Sequence, residues 1–252
     1  MVGEFTSTVS GEPLLLAALV LFLAFVHMAS PEILQPLKVP PPVLLSLAGG
    51  VSIAYAFLHL FPLLDDHRIA LSEGELGFLT LHEHHIYLIV FVGVILYYGL
   101  ERLAMVTSED RLFDFGRESV FWVHILGFAV YNLIIGYALV HGEMGAQNGL
   151  LFTVAMAFHL FGNDAALESH HPRLYERIGR WFLMFSVVLG AGIGVVFTLD
   201  RFWFAILLAV LTGGIVFNAI KDELPEMRDG RFWAFLAGAV GYTLILALTA
   251  AY

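Results

Sequence analysis

Side chains that carry charge or a metal-binding nitrogen are scarce in this chain, and the few that cluster set the chemistry to be considered. His159, Asn163, Asp164 and Glu168 form one group. Residues four apart share a helix face, so His159 stacks over Asn163, and Asp164 over Glu168 on the neighbouring face. An imidazole, an amide and two carboxylates in that order make a ladder for a cation. The same residues also have a purely structural reading, in which His159 donates to a helix carbonyl and Asn163 caps a kink at Gly162. Tyr131 and Asn132 form a second group, with His124 seven residues before Tyr131 on the same side. The sequence contains no cysteine, so thiolate chemistry is excluded and any metal must be held by nitrogen and oxygen. His159, Asn132, Asn163 and Tyr131 are neutral at pH 7. A dication that sheds its water beside them therefore takes its counter-charge from Asp164, with Glu168 lower down.

The remaining histidines fall into smaller groups. His82, His84 and His85 around Glu83, preceded by His67, make a short His/Glu cluster of a kind that binds zinc or copper. Lying between apolar stretches, it is either a solvated loop or a group that gathers metal without being a transport site. His170 and His171 serve either a metal exit or an interfacial anchor. His59, close to Pro62, is a potential access ligand, with helix packing the favoured role. His27 and His141, near the ends of apolar runs, are assigned to the membrane interface.

These residues must be positioned by unusually apolar elements. The 252 residues are 59% hydrophobic and 13% charged, with a mean hydropathy of +0.83, far outside the range of soluble domains. Eight windows contain no charge at all: 13–31, 39–64, 84–100, 119–142, 144–163, 181–199, 202–220 and 232–252. Each approximates the ~20 residues a helix needs to cross a bilayer, and none alternates apolar with polar as a barrel strand would. The expectation is an all-α integral membrane protein of eight transmembrane helices, numbered 1–8 in window order, forming a single domain over residues 1–252. The polar stretches 65–83 and 101–118 are loop-sized. Leu14–Val26 resembles a signal peptide in length, but no basic residue precedes it and no small-x-small cleavage site follows, so it is taken as helix 1. At 1.5 Å per residue, His159 lies roughly 15 Å from a boundary at Gly149 and Asn132 roughly 18 Å from one at Val120, both near the midplane.

Counting crossings places every one of the 12 Lys and Arg residues except Arg68 and Arg201 on one side of the membrane. That side is the cytoplasmic one, which puts both termini on the non-cytoplasmic side of a cell or inner membrane. A net charge of −10 without a basic run excludes nucleic-acid binding. The absence of a nucleophile–base constellation argues against an enzyme. Gly190 with Gly194, and Ala237 with Gly241, are spaced for close helix contact.

Two stretches echo each other. Gly49-Gly50 leads through Ala56 and His59 to Pro62, and Gly213-Gly214 leads through Ala219 to Pro225. Because helices 2 and 7 run in opposite directions, they are candidate members of an inverted repeat, helices 1–3 against 6–8, enclosing helices 4 and 5; that arrangement is typical of transporters.

In these features the sequence resembles a divergent member of the ZIP family of zinc and iron transporters. Its Gly-Gly and His59-Leu-Phe-Pro62 are similar to that family's second helix, and Glu223-Leu-Pro225-Glu226 to the end of its seventh. Against the family's His-Asn-x-Pro-Glu-Gly in helix 4, Asn132 and Gly136 match, while Tyr131 and Ile135 replace the His and the Glu. Against His-Glu-x-Pro-His-Glu in helix 5, His159 matches, Asp164 stands for a Glu, Asn163 for a His, and Leu160 for the middle Glu. The resemblance implies eight helices in the lipid bilayer, both termini outside, a divalent cation substrate (zinc first, then iron or manganese) and a path between helices 4 and 5. A homodimer is a separate expectation. The lost ligands imply a single weaker site in place of a binuclear one. They also leave open a non-transporting ZIP-like subunit or metal sensor. A b-type haem cytochrome using His27, His59, His124 and His159 is the third reading.

Overall fold

The computed structural model describes residues 13–28, 40–67, 85–109, 117–141, 146–223 and 231–250. Eight helical rods are present among them: α1 Pro13–Val26; α2 Pro41–Asp66, with a π-helical turn at Ala56–Leu60; α3 His85–Glu109; and α4 Arg117–His141. The others are α5 Ala146–His170; α6 Pro172–Val196, with a π-turn at Tyr175–Gly179; α7 Arg201–Asn218, continued by a π-turn at Ala219–Glu223; and α8 Phe232–Ala250. Seven are long and apolar enough to cross a membrane, whereas α1 has 14 residues, or about 21 Å of rise. This is an apolar helical bundle of a kind that places its backbone hydrogen bonds inside each helix, as hydrocarbon surroundings require.

Local sequence explains the element ends. Prolines open α1, α2 and α6, where a missing N–H costs nothing. Asp200 caps α7, its carboxylate accepting from the Trp203 amide at 3.0 Å. Pro62 lies inside α2 just after the π-turn; the widened turn accommodates a ring that would clash with a regular preceding turn.

Glycines set the packing. A Cβ on Gly50 would collide with the α8 backbone at Phe235 and Ala239, and one on Gly238 with Leu47 of α2. Gly93 and Gly213 join α3 to α7 in the same way, and Gly136 and Gly190 join α4 to α6. Helices that touch backbone to backbone gain dispersion contact along their length, the association force available where lipid is as apolar as the side chains. The helix 6 pair behaves as expected, with Gly190 against Leu133 and Gly194 against Val140. The helix 8 pair does not: Ala237 and Gly241 are exposed, no atom lies within 4 Å of a Cβ on Gly241, and the contact falls on Gly238 instead. Around the bundle Phe91, Leu96, Leu126, Phe185, Leu244 and many others are exposed, an apolar perimeter suited to lipid.

Candidate functional site

Two polar clusters are buried in this apolar interior, one on each side of the α4–α5 pair. Tyr131 and Asn132 are consecutive on α4, and so are Asn163 and Asp164 on α5. Neighbours in sequence point about 100° apart on a helix, so each pair is split between two faces.

The first cluster contains His159, which is fully buried. Its Nε2 is 2.7 Å from the Tyr131 hydroxyl and 3.2 Å from Asn163 Nδ2. Nε2 can serve as the acceptor for both. Tyr131 packs edge-on against Tyr97 of α3 and beneath Gly214 of α7. His159 and Asn163, four residues apart on α5, thus meet each other directly.

The second cluster corrects a sequence-based expectation. His27, assigned to the interface, is 2% exposed and buried against α4 and α5. Its Nδ1 lies 2.8 and 3.1 Å from the two Asp164 carboxylate oxygens, and its Nε2 lies 3.0 Å from Asn132 Oδ1. Asn132 Nδ2 donates to the Phe128 carbonyl at 2.8 Å, which fixes the amide so that its oxygen faces the ring. The Tyr175 hydroxyl of α6 lies against Asp164, with Glu168 also near it, and Arg180 stands over the Tyr175 ring at 5.7 Å. Because α1 is short, its end stops inside the protein, and that is how His27 reaches Asp164.

A third polar group lies toward the end of the bundle that holds His170. Lys221 Nζ of α7 donates to Glu101 Oε2 of α3 at 2.6 Å. His124 Nε2 comes within 3.3 Å of the same oxygen without hydrogen-bond alignment. A cavity of about 20 Å³, room for a single water, is lined by Glu101, His124 and Asn218 among others. Sequence reasoning missed Glu101, which sits one residue beyond a charge-free window; its only signal was an acidic residue at a membrane boundary.

The remaining predicted residues are dispersed. His59 stacks on Tyr55, centroids 5.1 Å apart, in keeping with a packing role. His85 heads α3 and is buried, while His82 and His84 lie outside the described residues. His170 Nδ1 donates to the Ala166 carbonyl at 2.7 Å. His171 packs against Phe121 and His124. His141, given to the interface, is half-buried, packs on Tyr137 and bonds to the Gly194 carbonyl. The four histidines considered for haem face different neighbours: Asp164, Tyr55, Glu101 and Tyr131. Among the described residues, no three His, Asp or Glu side chains converge as a metal-binding group.

Fold and site together define an α-helical bundle in which seven helices among the described residues are long and apolar enough to cross a membrane and ionisable groups are buried between them. No family model matches the chain, and no curated protein is a significant relative.

Proposed function

We propose that the protein is a membrane transporter of divalent metal cations, zinc first, whose path runs along α4 and α5. The observation that carries this reading is the buried set His27, Asn132, His159, Asn163 and Asp164 in an apolar bundle, because ionisable groups at membrane depth are costly and mark ion or substrate paths. Imidazole nitrogen, amide oxygen and carboxylate suit zinc, and iron(II) or manganese(II) next.

Packing supports a ZIP-like inverted repeat within the same proposal. Exchanging helices 1, 2, 3 and 4 for 6, 7, 8 and 5 turns the α2–α8 contact into α7–α3, and α4–α6 into α5–α1, all of which exist. The π-turns of α2 and α7 begin at Ala56 and Ala219, the two alanines that the sequence echo pairs. Both termini on the non-cytoplasmic side, and a homodimer formed through the exposed Ala237 and Gly241 of α8, complete the proposal.

The test is zinc uptake by proteoliposomes. A dication–carboxylate contact at ~4 Å is worth about 8 kcal/mol at an effective dielectric near 20. Asp164→Asn is therefore expected to abolish uptake while insertion is retained, with His159→Ala close behind, and Asn163→His to strengthen binding. One observation favours a second reading, a non-transporting subunit or sensor: Asp164 is already engaged by His27. No uptake in the parent would select it, whereas uptake unchanged in Asp164→Asn would remove the path through Asp164.

A further inference from the structure

An apolar groove between α3 and α4 runs into the small polar cavity beside Glu101. The groove has a volume of about 800 Å³ and is walled by Ile95 and Leu103 of α3 and by Leu126, Val130 and Ile134 of α4. Ile95, Leu103, Leu126 and Val130 are exposed, so it opens outward, where the bundle meets lipid. From Val123 to Ile134 it extends roughly 16 Å along α4, about half of a ~30 Å hydrocarbon layer. Tyr97, Leu100, Val123 and Gly127 line both the groove and the 20 Å³ cavity that Glu101, His124 and Asn218 complete, so the two adjoin. That cavity lies about one helical turn inside the apolar spans that end at Leu103, begin at Val120 and end at Lys221. Within it Asn218 Nδ2 and His124 Nδ1 are buried and have no hydrogen-bond partner among the described residues, a costly state in apolar surroundings unless a further polar atom completes it.

We propose that this is a binding site for a membrane alcohol, whose apolar body lies in the α3–α4 groove and whose hydroxyl enters the cavity. Size, charge and hydrogen bonding each select that chemistry. The cavity admits a group no larger than a water, which excludes phosphate and sugar heads. Glu101 is already paired with Lys221, so a charged head would enter without a counter-ion. A hydroxyl accepts from Asn218 Nδ2 and can either donate to His124 Nδ1 or accept from it, whichever tautomer the ring holds. Hydrocarbon does neither, and a carbonyl oxygen only accepts. The site stands apart from the proposed ion path, since none of Asn132, His159, Asn163 and Asp164 lines it.

The experiment places the full-length chain in phosphatidylcholine vesicles with hexadecanol that carries a photoreactive diazirine in its chain, and reads the attachment sites by peptide mass spectrometry. Attachment is expected to concentrate on residues 95–103 and 123–134, about fivefold above α8, which is exposed along most of its length but offers no such cavity. Unlabelled hexadecanol is expected to displace the probe, and hexadecane and palmitate to leave it in place. Cholesterol is the further competitor: displacement by it extends the ligand to sterols, and its failure confines the ligand to linear alcohols, both within the proposal. Gly99 lines the groove, and a Cβ there meets no atom within 4 Å. Gly99→Leu is therefore expected to cut attachment about tenfold, because the filled groove no longer admits the chain, without lowering the melting temperature. Asn218→Leu is expected to remove the preference for hexadecanol over hexadecane; should that variant not fold, the competitors tested on the parent decide the head chemistry. Attachment spread evenly over α3, α4 and α8, displacement by hexadecane or palmitate as strong as by hexadecanol, or full attachment in Gly99→Leu would overturn the proposal and leave the cavity to water.

Discussion

Lys221, Glu101 and His124 show what a buried polar contact does to stability in this bundle. The Glu101 and Lys221 side chains are 12% and 27% exposed, so their charges are partly desolvated and each depends on the other. Removing one partner leaves an uncompensated charge, whereas removing both leaves apolar surroundings intact. Glu101→Gln is expected to lower stability by about 1–3 kcal/mol, and Glu101→Gln with Lys221→Met by less than the sum of the single changes. Thermal unfolding in detergent of the two single variants and the pair measures that coupling; simple additivity would mean the contact is energetically idle. Tyr131→Phe belongs to the same level. It removes the hydroxyl bonded to His159 without a change of ring shape, and is expected to cost about 1 kcal/mol.

Helix pairs are governed by closeness of approach. Gly136 meets Val187 and Ala191 of α6 at backbone distance, and Gly213 meets Val90 and Val94 of α3. A larger side chain at either position must force two helices apart and forfeit contact along the seam. Gly136→Leu and Gly213→Leu are each expected to lower the melting temperature by several degrees, since overpacking costs about 1–3 kcal/mol or more. Gly241→Leu, with open space around it, is expected to leave the melting temperature of the monomer unchanged, and its effect on oligomeric state reports on the proposed α8 interface. Equal destabilisation at all three glycines would show that helix propensity, and not inter-helix distance, sets the loss.

For the whole molecule, eight rods joined in sequence return the chain to the side on which it started, provided that α1 and the residues after it together complete a crossing. Single cysteines at Ser10 and Tyr252 are then expected to react with an impermeant reagent added outside, in a chain that has no native cysteine to interfere. Labelling of the two positions from opposite sides would mean that α1 enters the bundle and returns, leaving seven crossings.

Composition and charge-free windows determine by themselves a bundle of long apolar helices of the kind that suits a bilayer, because a bilayer-length apolar run has few other stable fates. They also place one rod at each window, although α3, α5 and α6 run seven to nine residues beyond a window edge, single out Asn132, His159, Asn163 and Asp164 as polar groups in apolar stretches, and mark the Gly-Gly and Ala positions that α2 and α7 share. Only the tertiary structure decides what those groups face. The helices are apolar on nearly every side, so hydrophobic periodicity does not reveal which face turns inward. His27 and Asp164 are 137 residues apart, and their meeting depends on how deep α1 reaches and how α5 is rotated. Those quantities are set by packing between helices, α1 against α5 and α6 among them, which no spacing within one helix encodes.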